Sequence, residues 1–283
     1  MILVTGAAGK TGRAIIRALT ARGEAVRALV HRQVEGIGTS DIVVGDMRAP
    51  EILSQAMHGI RSVYFICPNM SPDEIAMGQI AIKAARVAQV EHFVYHSVLH
   101  PQVEAMPHHW QKMRVEEQLF ESGLAYTLLQ PAAYMQNILA FWEQILQQGV
   151  YPVPYRVDAR LSLIDLEDVA AAAATVLTQS GHIGATYELV GTRPLPQTDV
   201  AAILAQQLGH PVRVEVVIPE DWKLNARKTG LGDYQVETLV KMFRYYNRYG
   251  FPGNPNVLSW LLGRSPITLA DFVERTIKER TQQ

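Results

Sequence analysis

With one cysteine, Cys67, in 283 residues, the chain can form no internal disulfide and no cysteine-based metal cluster. Charge of one sign is lacking too: 26 Lys and Arg stand against 27 Asp and Glu, for a net charge of -1. That balance, with no long run of like charge, gives no electrostatic reason to bind nucleic acid or a membrane surface. No apolar stretch reaches the length of a membrane span, and there is no internal repeat or low-complexity tract. Apolar strand character starts at Met1, so neither a signal nor a transit peptide is expected, and a cytoplasmic protein is the expectation. His31, His96 and His100 stand at no recognisable metal-ligand spacing, so no metal is assigned. What is present is a hydrophobic content of 48%, enough to fill a substantial core in one large domain or two joined lobes.

Short apolar runs, "MILVT", "AVRALV", "DIVVG", "SVYFIC", "HFVYHS" and "AYTLLQ", alternate with segments of helical or loop character. That alternation predicts right-handed βαβ units in an α/β fold: a doubly wound parallel sheet of Rossmann type with helices on both faces. After "GVYPVPYRVD" the chain becomes more helical and more aromatic. The expected organisation is a dinucleotide-binding domain over residues 1–150 and a smaller C-terminal α/β lobe over 151–283 that closes over the ligand. Residues 161–180, "LSLIDLEDVAAAAATVL" at their core, look like a strand and helix returning to the first domain.

The stretch "TGAAGKTG", Thr5 to Gly12, contains two phosphate-binding signatures. Gly9-Lys10-Thr11 resembles the end of a P-loop, but the first glycine of that motif would have to stand at Val4, inside an apolar strand. In the other signature each glycine has a task. Gly6 makes the turn off the strand, Gly9 lets backbone N–H groups approach a pyrophosphate, and Gly12 lets the next helix pack closely. The spacing is G-x-x-G-x-x-G rather than G-x-G-x-x-G, and strand, turn and amphipathic helix follow in the required order. An ordinary strand-to-helix turn is the plain alternative.

In doubly wound sheets ligands sit at the carboxyl ends of the strands. Those ends carry Gly6, His31 and Arg32, Gly45-Asp46-Met47, Cys67 and Pro68, Ser97, and Gln130 and Pro131. The end of the second strand lacks the acid that an NAD site places against the ribose 2′-hydroxyl. Arg32 stands there instead, and a guanidinium can pair bidentately with a 2′-phosphate, which favours NADP(H). A solvated loop arginine is the alternative. Asp46 would accept from the adenine amine and Met47 cover a ring face, although a turn ahead of the helix at Pro50 explains Asp46 equally well.

On a helix over "HHWQKMRVEEQLF", His108, Lys112, Val115 and Leu119 share one face, and the two apolar members turn it toward the sheet. Lys112 is therefore inward, either to hold the nicotinamide ribose or as a snorkelling lysine at the helix start. His108 or Ser97 would then donate a proton to the reduced substrate. His109 points elsewhere and is expected to be exposed. Tyr134, Asn137 and Trp142 follow the sixth strand and are expected to line a substrate pocket, with apolar core as the alternative for Trp142.

The segments "ILVTGAAGKTG", "VRALVHR", "VVGDMRAP", "HFVYHSVL", "HHWQKMRVEEQLFESGLAYTLLQPAAYMQN" and "LIDLEDVAAAAA" resemble the NmrA-like family of atypical short-chain dehydrogenases over about residues 1–180. "PITLADFVERTIKER" is similar to that family's C-terminal helix. The resemblance implies NADP(H) on the glycine loop, with Gly6, Gly9, Lys10, Thr11, Gly12, Arg32, Asp46, Met47, Cys67, Pro68, Lys112 and Pro131 around it. His108 and Lys112 correspond to an H-x-x-x-K arrangement carried by some members where ordinary short-chain dehydrogenases have Tyr-x-x-x-Lys. Neither Tyr126 nor Tyr134 lies four residues before a lysine, so the missing tyrosine fits a hydride acceptor that needs little proton assistance. Two functions follow: an NADPH-dependent reductase of a small conjugated acceptor such as a quinone, or a non-enzymatic NADP(H)-binding redox sensor of a partner protein. Aromatic residues from Phe243 to Tyr249 serve a pocket or a subunit contact equally well, which leaves a homodimer open.

Overall fold

The computed structural model describes residues 1–281. The apolar runs form β1 (Ile2–Val4), β2 (Val26–Val30), β3 (Asp41–Val44), β4 (Ser62–Phe65), β5 (His92–His96) and β6 (Tyr126–Pro131). Between them lie α1 (Lys10–Thr20), α2 (Pro50–Met57), α3 (Glu74–Val87) and α4 (Pro107–Glu121). Next come β7 (Ala133–Tyr134), a 3-10 helix (Met135–Phe141), α5 (Trp142–Gln148), β8 (Val150–Val153), β9 (Arg160–Leu161), β10 (Leu163–Ile164), α6 (Leu166–Thr178) and β11 (Ala185–Leu189). The rest is β12 (Leu195–Pro196), α7 (Gln197–Leu208), β13 (Arg213–Val216), α8 (Pro219–Lys228), α9 (Asp233–Tyr249), α10 (Asn256–Leu262) and α11 (Leu269–Thr281).

The chain forms two compact units. The first takes Met1–Glu104, His108–Pro131 and Val169–Glu188; the second takes Ala105–Pro107, Ala132–Asp168 and the chain from Leu189 onward. The contacts thus divide the chain at Pro131 and not near residue 150. The reason is packing: Met135, Ile138, Trp142 and Ile145 share one apolar cluster with Val200, Leu204 and Phe272.

In the first unit a seven-stranded sheet runs β11-β6-β5-β4-β1-β2-β3, and β1 to β6 pair in parallel. Ile2, Leu3 and Val4 are wholly buried, as expected of a central parallel strand covered on both faces. The order reverses at β1, which has β2 on one side and β4 on the other, so the crevice lies beyond the carboxyl ends of β1 and β4. On α1, Ile15, Ile16 and Leu19 are buried while Arg17 is exposed, the 3.6-residue stripe of a helix laid on a sheet. Met77, Ala81 and Ala85 of α3 join Val115 and Leu119 of α4 in one core cluster with Phe65 and Phe93.

The second unit has three two-stranded ladders, β8 with β13, β9 with β12 and β7 with β10. Its buried carboxylates are anchored by arginines. Asp165 accepts from Arg275 Nη2 at 2.5 Å and Asp168 from Arg264 Nη2 at 2.6 Å. Among the described residues, no helix is long and apolar enough to cross a membrane, and no cluster of His, Cys, Asp and Glu could hold a metal ion.

Candidate functional site

At the end of β1 the Thr5 hydroxyl donates to the Ile66 carbonyl at 2.9 Å and accepts the Ile66 N–H at 2.8 Å, locking the ends of β1 and β4 together. Gly6 follows with φ +57°, a left-handed conformation that favours glycine. The Gly9 N–H returns to the Gly6 carbonyl at 3.0 Å, which closes the turn. Gly12 is needed for space: a Cβ there would lie 2.5 Å from the Gly6 oxygen and 2.7 Å from the Ala7 Cα. Helix α1 starts with Gly9 as an extended N-cap, no side-chain cap and no acidic residue in its first turn. Its first N–H groups and partial positive charge are therefore left for an anion. Lys10 is exposed beside them and Thr11 is buried.

Arg13, which sequence reasoning passed over, joins this turn to the next loop. Its guanidinium donates to the Ala8 carbonyl at 3.1 Å, to Gly36 at 2.7 Å and to Glu35 at 3.4 Å. Arg32 is exposed in that same loop, after β2. Beyond β3, Asp46 takes four hydrogen bonds from Arg48, the shortest 2.6 Å from Nη2. Those bonds hold its carboxyl down to about 2, and His31 Nε2 stands 3.8 Å away. Met47 is buried in the core cluster and Pro68 is exposed. Cys67 is buried, and burial, with the Glu74 carboxylate, pushes its thiol well above the ordinary value.

Helix α4 places His108, Lys112, Val115 and Leu119 on its inward face. The two apolar residues are wholly buried and the Lys112 side chain is 14% exposed. Lys112 Nζ donates to Glu74 Oε1 at 2.9 Å and to the His96 carbonyl at 3.1 Å, and stands 5.3 Å from the centre of the Tyr95 ring. Burial pushes His108 down to about 2, so its imidazole is neutral at pH 7. Its Nδ1 is buried without a hydrogen-bond partner among the described residues.

His109 corrects an expectation: it is wholly buried, not exposed, because the segment after β5 folds over the start of α4 and its Nδ1 contacts the His100 carbonyl at 3.2 Å. Ser97 is 2% exposed and its hydroxyl is bonded to Glu116, whose carboxylate also accepts from Gln130 Nε2 at 2.9 Å and 3.1 Å. Burial pushes the Glu116 carboxyl up. His96, with burial pushing it down to about 3, is bonded at Nδ1 to the Tyr64 hydroxyl. Pro131 is buried at the end of β6. Tyr134 is half-buried and Asn137 exposed, both in the second unit. Trp142 is 2% exposed inside that unit's core.

A glycine turn with no room for a Cβ and an uncapped helix N-terminus lie together at the carboxyl end of β1, a geometry that suits a phosphate. The NmrA-like family model matches residues 1–279. The chain belongs to the NmrA-like family. It is 29% identical over 281 residues to the NAD(P)H azoreductase of Xenophilus azovorans, covering 97% of each protein. The NADPH-dependent quinone oxidoreductase of Escherichia coli, solved with NADPH, superposes with a TM-score of 0.86 at 27% identity, over 98% of this chain and 100% of that one. Citrobacter triphenylmethane reductase, solved with NADP(H), gives 0.85 at 25% identity, over 97% of this chain and 99% of its own. As an NmrA-like protein the chain has the Rossmann fold expected of its strand alternation.

Arg32→Asp should narrow or invert a preference for NADPH over NADH, since a carboxylate repels a 2′-phosphate and accepts from a 2′-hydroxyl. Fluorescence titration with both nucleotides measures it; an unchanged preference would remove Arg32 from the site.

Proposed function

We propose that this NmrA-like protein is an NADPH-dependent reductase of a small, flat, conjugated acceptor such as a quinone or a dye. The observation that carries the reading is the Lys112 ammonium, held at the carboxyl end of β5 by two acceptors. The whole-length likeness to an azoreductase and a quinone oxidoreductase supports the class of reaction. NADPH, when bound, supplies the hydride.

The chain's own residues bind and orient. First-turn N–H groups of α1 and the Lys10 ammonium take the pyrophosphate, Arg32 the 2′-phosphate, and Lys112 the ribose hydroxyls beside the nicotinamide. Proton supply from the protein is weak. His108 is neutral at pH 7, and a neutral imidazole is a poor acid. The Ser97 hydroxyl is bonded to Glu116. An acceptor whose reduced oxygens draw protons from water suits such a site, whereas an alcohol dehydrogenation needs the tyrosine it lacks.

The test is NADPH oxidation with a panel of quinones, nitroaromatics, azo dyes and triphenylmethane dyes. At least one should be reduced. Lys112→Met should raise the NADPH Kd roughly ten- to a hundredfold, as hydrogen bonds from charged groups contribute about 1.5–3 kcal/mol, and lower kcat with it. An inert panel, with tight NADPH binding that alters the protease sensitivity of the C-terminal unit, would replace the reductase with an NADP(H)-responsive sensor.

A further inference from the structure

Glu74 opens α3 and looks like an ordinary acid in a helix's first turn, yet its side chain is 3% exposed. Its Oε1 accepts from Lys112 Nζ at 2.9 Å and from the Tyr95 hydroxyl at 2.8 Å. The Cys67 thiol faces the same carboxylate, which helps to push that thiol up. One carboxylate thus gathers a group from the end of β4, one from β5 and one from α4. Stability alone does not call for this arrangement. Burying a charge pair costs desolvation that the attraction between its members only partly offsets, and apolar residues of similar size often do as well.

An ammonium has three N–H donors. In Lys112 the Glu74 carboxylate and the His96 carbonyl take two of them, which leaves a third for a ligand. Lysine is also a flexible four-carbon stem, whose freedom must be lost before its charge can hold anything in one place. Glu74 removes that freedom in advance, and the Tyr95 hydroxyl in turn holds Glu74.

We propose that Glu74 is a positioning residue: it fixes the Lys112 ammonium at the end of β5 so that one N–H stays free for the ribose of the nucleotide. The proposal rests on the reading of Lys112 as a nucleotide ligand. It assigns Glu74 no contact with substrate or nucleotide. Tyr95, wholly buried, is the support behind it.

A double-mutant cycle tests this on the full-length protein, with NADPH Kd from fluorescence titration and Tm from thermal melts. Glu74→Gln should raise the NADPH Kd about fivefold, and Lys112→Met should raise it about tenfold or more. Glu74→Gln together with Lys112→Met should bind no more weakly than Lys112→Met alone, because a residue that acts through Lys112 has nothing left to act on. Tyr95→Phe, which removes only the hydroxyl behind Glu74, should raise Kd about twofold in the wild-type background and not at all beside Lys112→Met. It also keeps the question answerable if Glu74→Gln alone folds poorly. Effects that multiply in the double variants, or a Glu74→Gln protein with lowered Tm and unchanged Kd, would overturn the proposal and leave Glu74 a structural residue. If Lys112→Met itself leaves Kd unchanged, the reading of Lys112 fails first and Glu74 loses its role with it.

Discussion

Gly12→Ala is expected to raise the NADPH Kd by more than about tenfold and to destabilise the first unit by about 1–3 kcal/mol. The added Cβ would meet the Gly6 oxygen at 2.5 Å, the Ala7 Cα at 2.7 Å and the Gly6 carbonyl carbon at 3.0 Å. All three are backbone atoms, so no rotamer relieves the clash, and either α1 withdraws from the turn or the turn itself shifts. Both movements displace the first-turn N–H groups. Gly9→Ala is the internal control for stability, since its Cβ would meet only the Gly6 oxygen, at 3.3 Å. Urea unfolding of the two variants should rank Gly12 well above Gly9, while nucleotide titration should show weaker NADPH binding in both, since a Cβ at Gly9 stands where the pyrophosphate approaches the backbone. Equal, small effects on stability would mean that the turn is not closely packed.

In the second unit, Asp168→Ala should cost roughly 2–4 kcal/mol by urea unfolding. The Asp168 carboxylate is wholly buried and accepts from Arg264 Nη2 at 2.6 Å and from the Ile267 N–H at 2.7 Å. It therefore pins the start of α6 to the segment that leads into α11. Breaking this pair costs less than breaking a fully buried one because the Arg264 side chain is 47% exposed and returns to water when its partner is removed. Burial pushes the Asp168 carboxyl up despite those bonds, so its charge is a net burden in the folded state. Asp168→Asn, which keeps an acceptor without the charge, should accordingly cost less than Asp168→Ala. A cost for alanine under about 0.5 kcal/mol, the range of ordinary surface substitutions, would show that the anchor carries nothing.

Much of this molecule is legible in its sequence where one physical rule governs a residue. Strands β1, β2, β4, β5 and β6 read clearly because central parallel strands are largely apolar runs broken by Gly, Pro and polar turns, and the edge strand β3 reads from its Ile42-Val43-Val44 run. The inward face of α4 reads from its period, since Val115 and Leu119 fix the direction in which Lys112 must point. Other residues have a sequence context that fits a bland role equally well. Glu74, beside Asp73, is what any helix N-terminus carries, and only the fold brings Lys112 and Tyr95 to it. Arg13 reads as a solvated helix arginine until the loop at residues 35–36 reaches it. His109 lies one position off the inward face of α4, and its burial comes from a neighbouring loop that helical periodicity does not describe. The unit boundary misleads for a similar reason. The aromatic, helix-rich composition starts after residue 150, but the packing changes at Pro131, where short segments already serve the second core.

The most direct test of hydride transfer in the first unit's crevice is the rate of NADPH oxidation under anaerobic conditions. The protein would be mixed with a quinone and with NADPH bearing either hydrogen or deuterium at nicotinamide C4. The expected result is oxidation well above the protein-free rate, slower with deuterium, and strongly reduced in Lys112→Met. Tight NADPH binding with no oxidation above the protein-free rate, for quinones and for every dye tried, would contradict the reductase assignment.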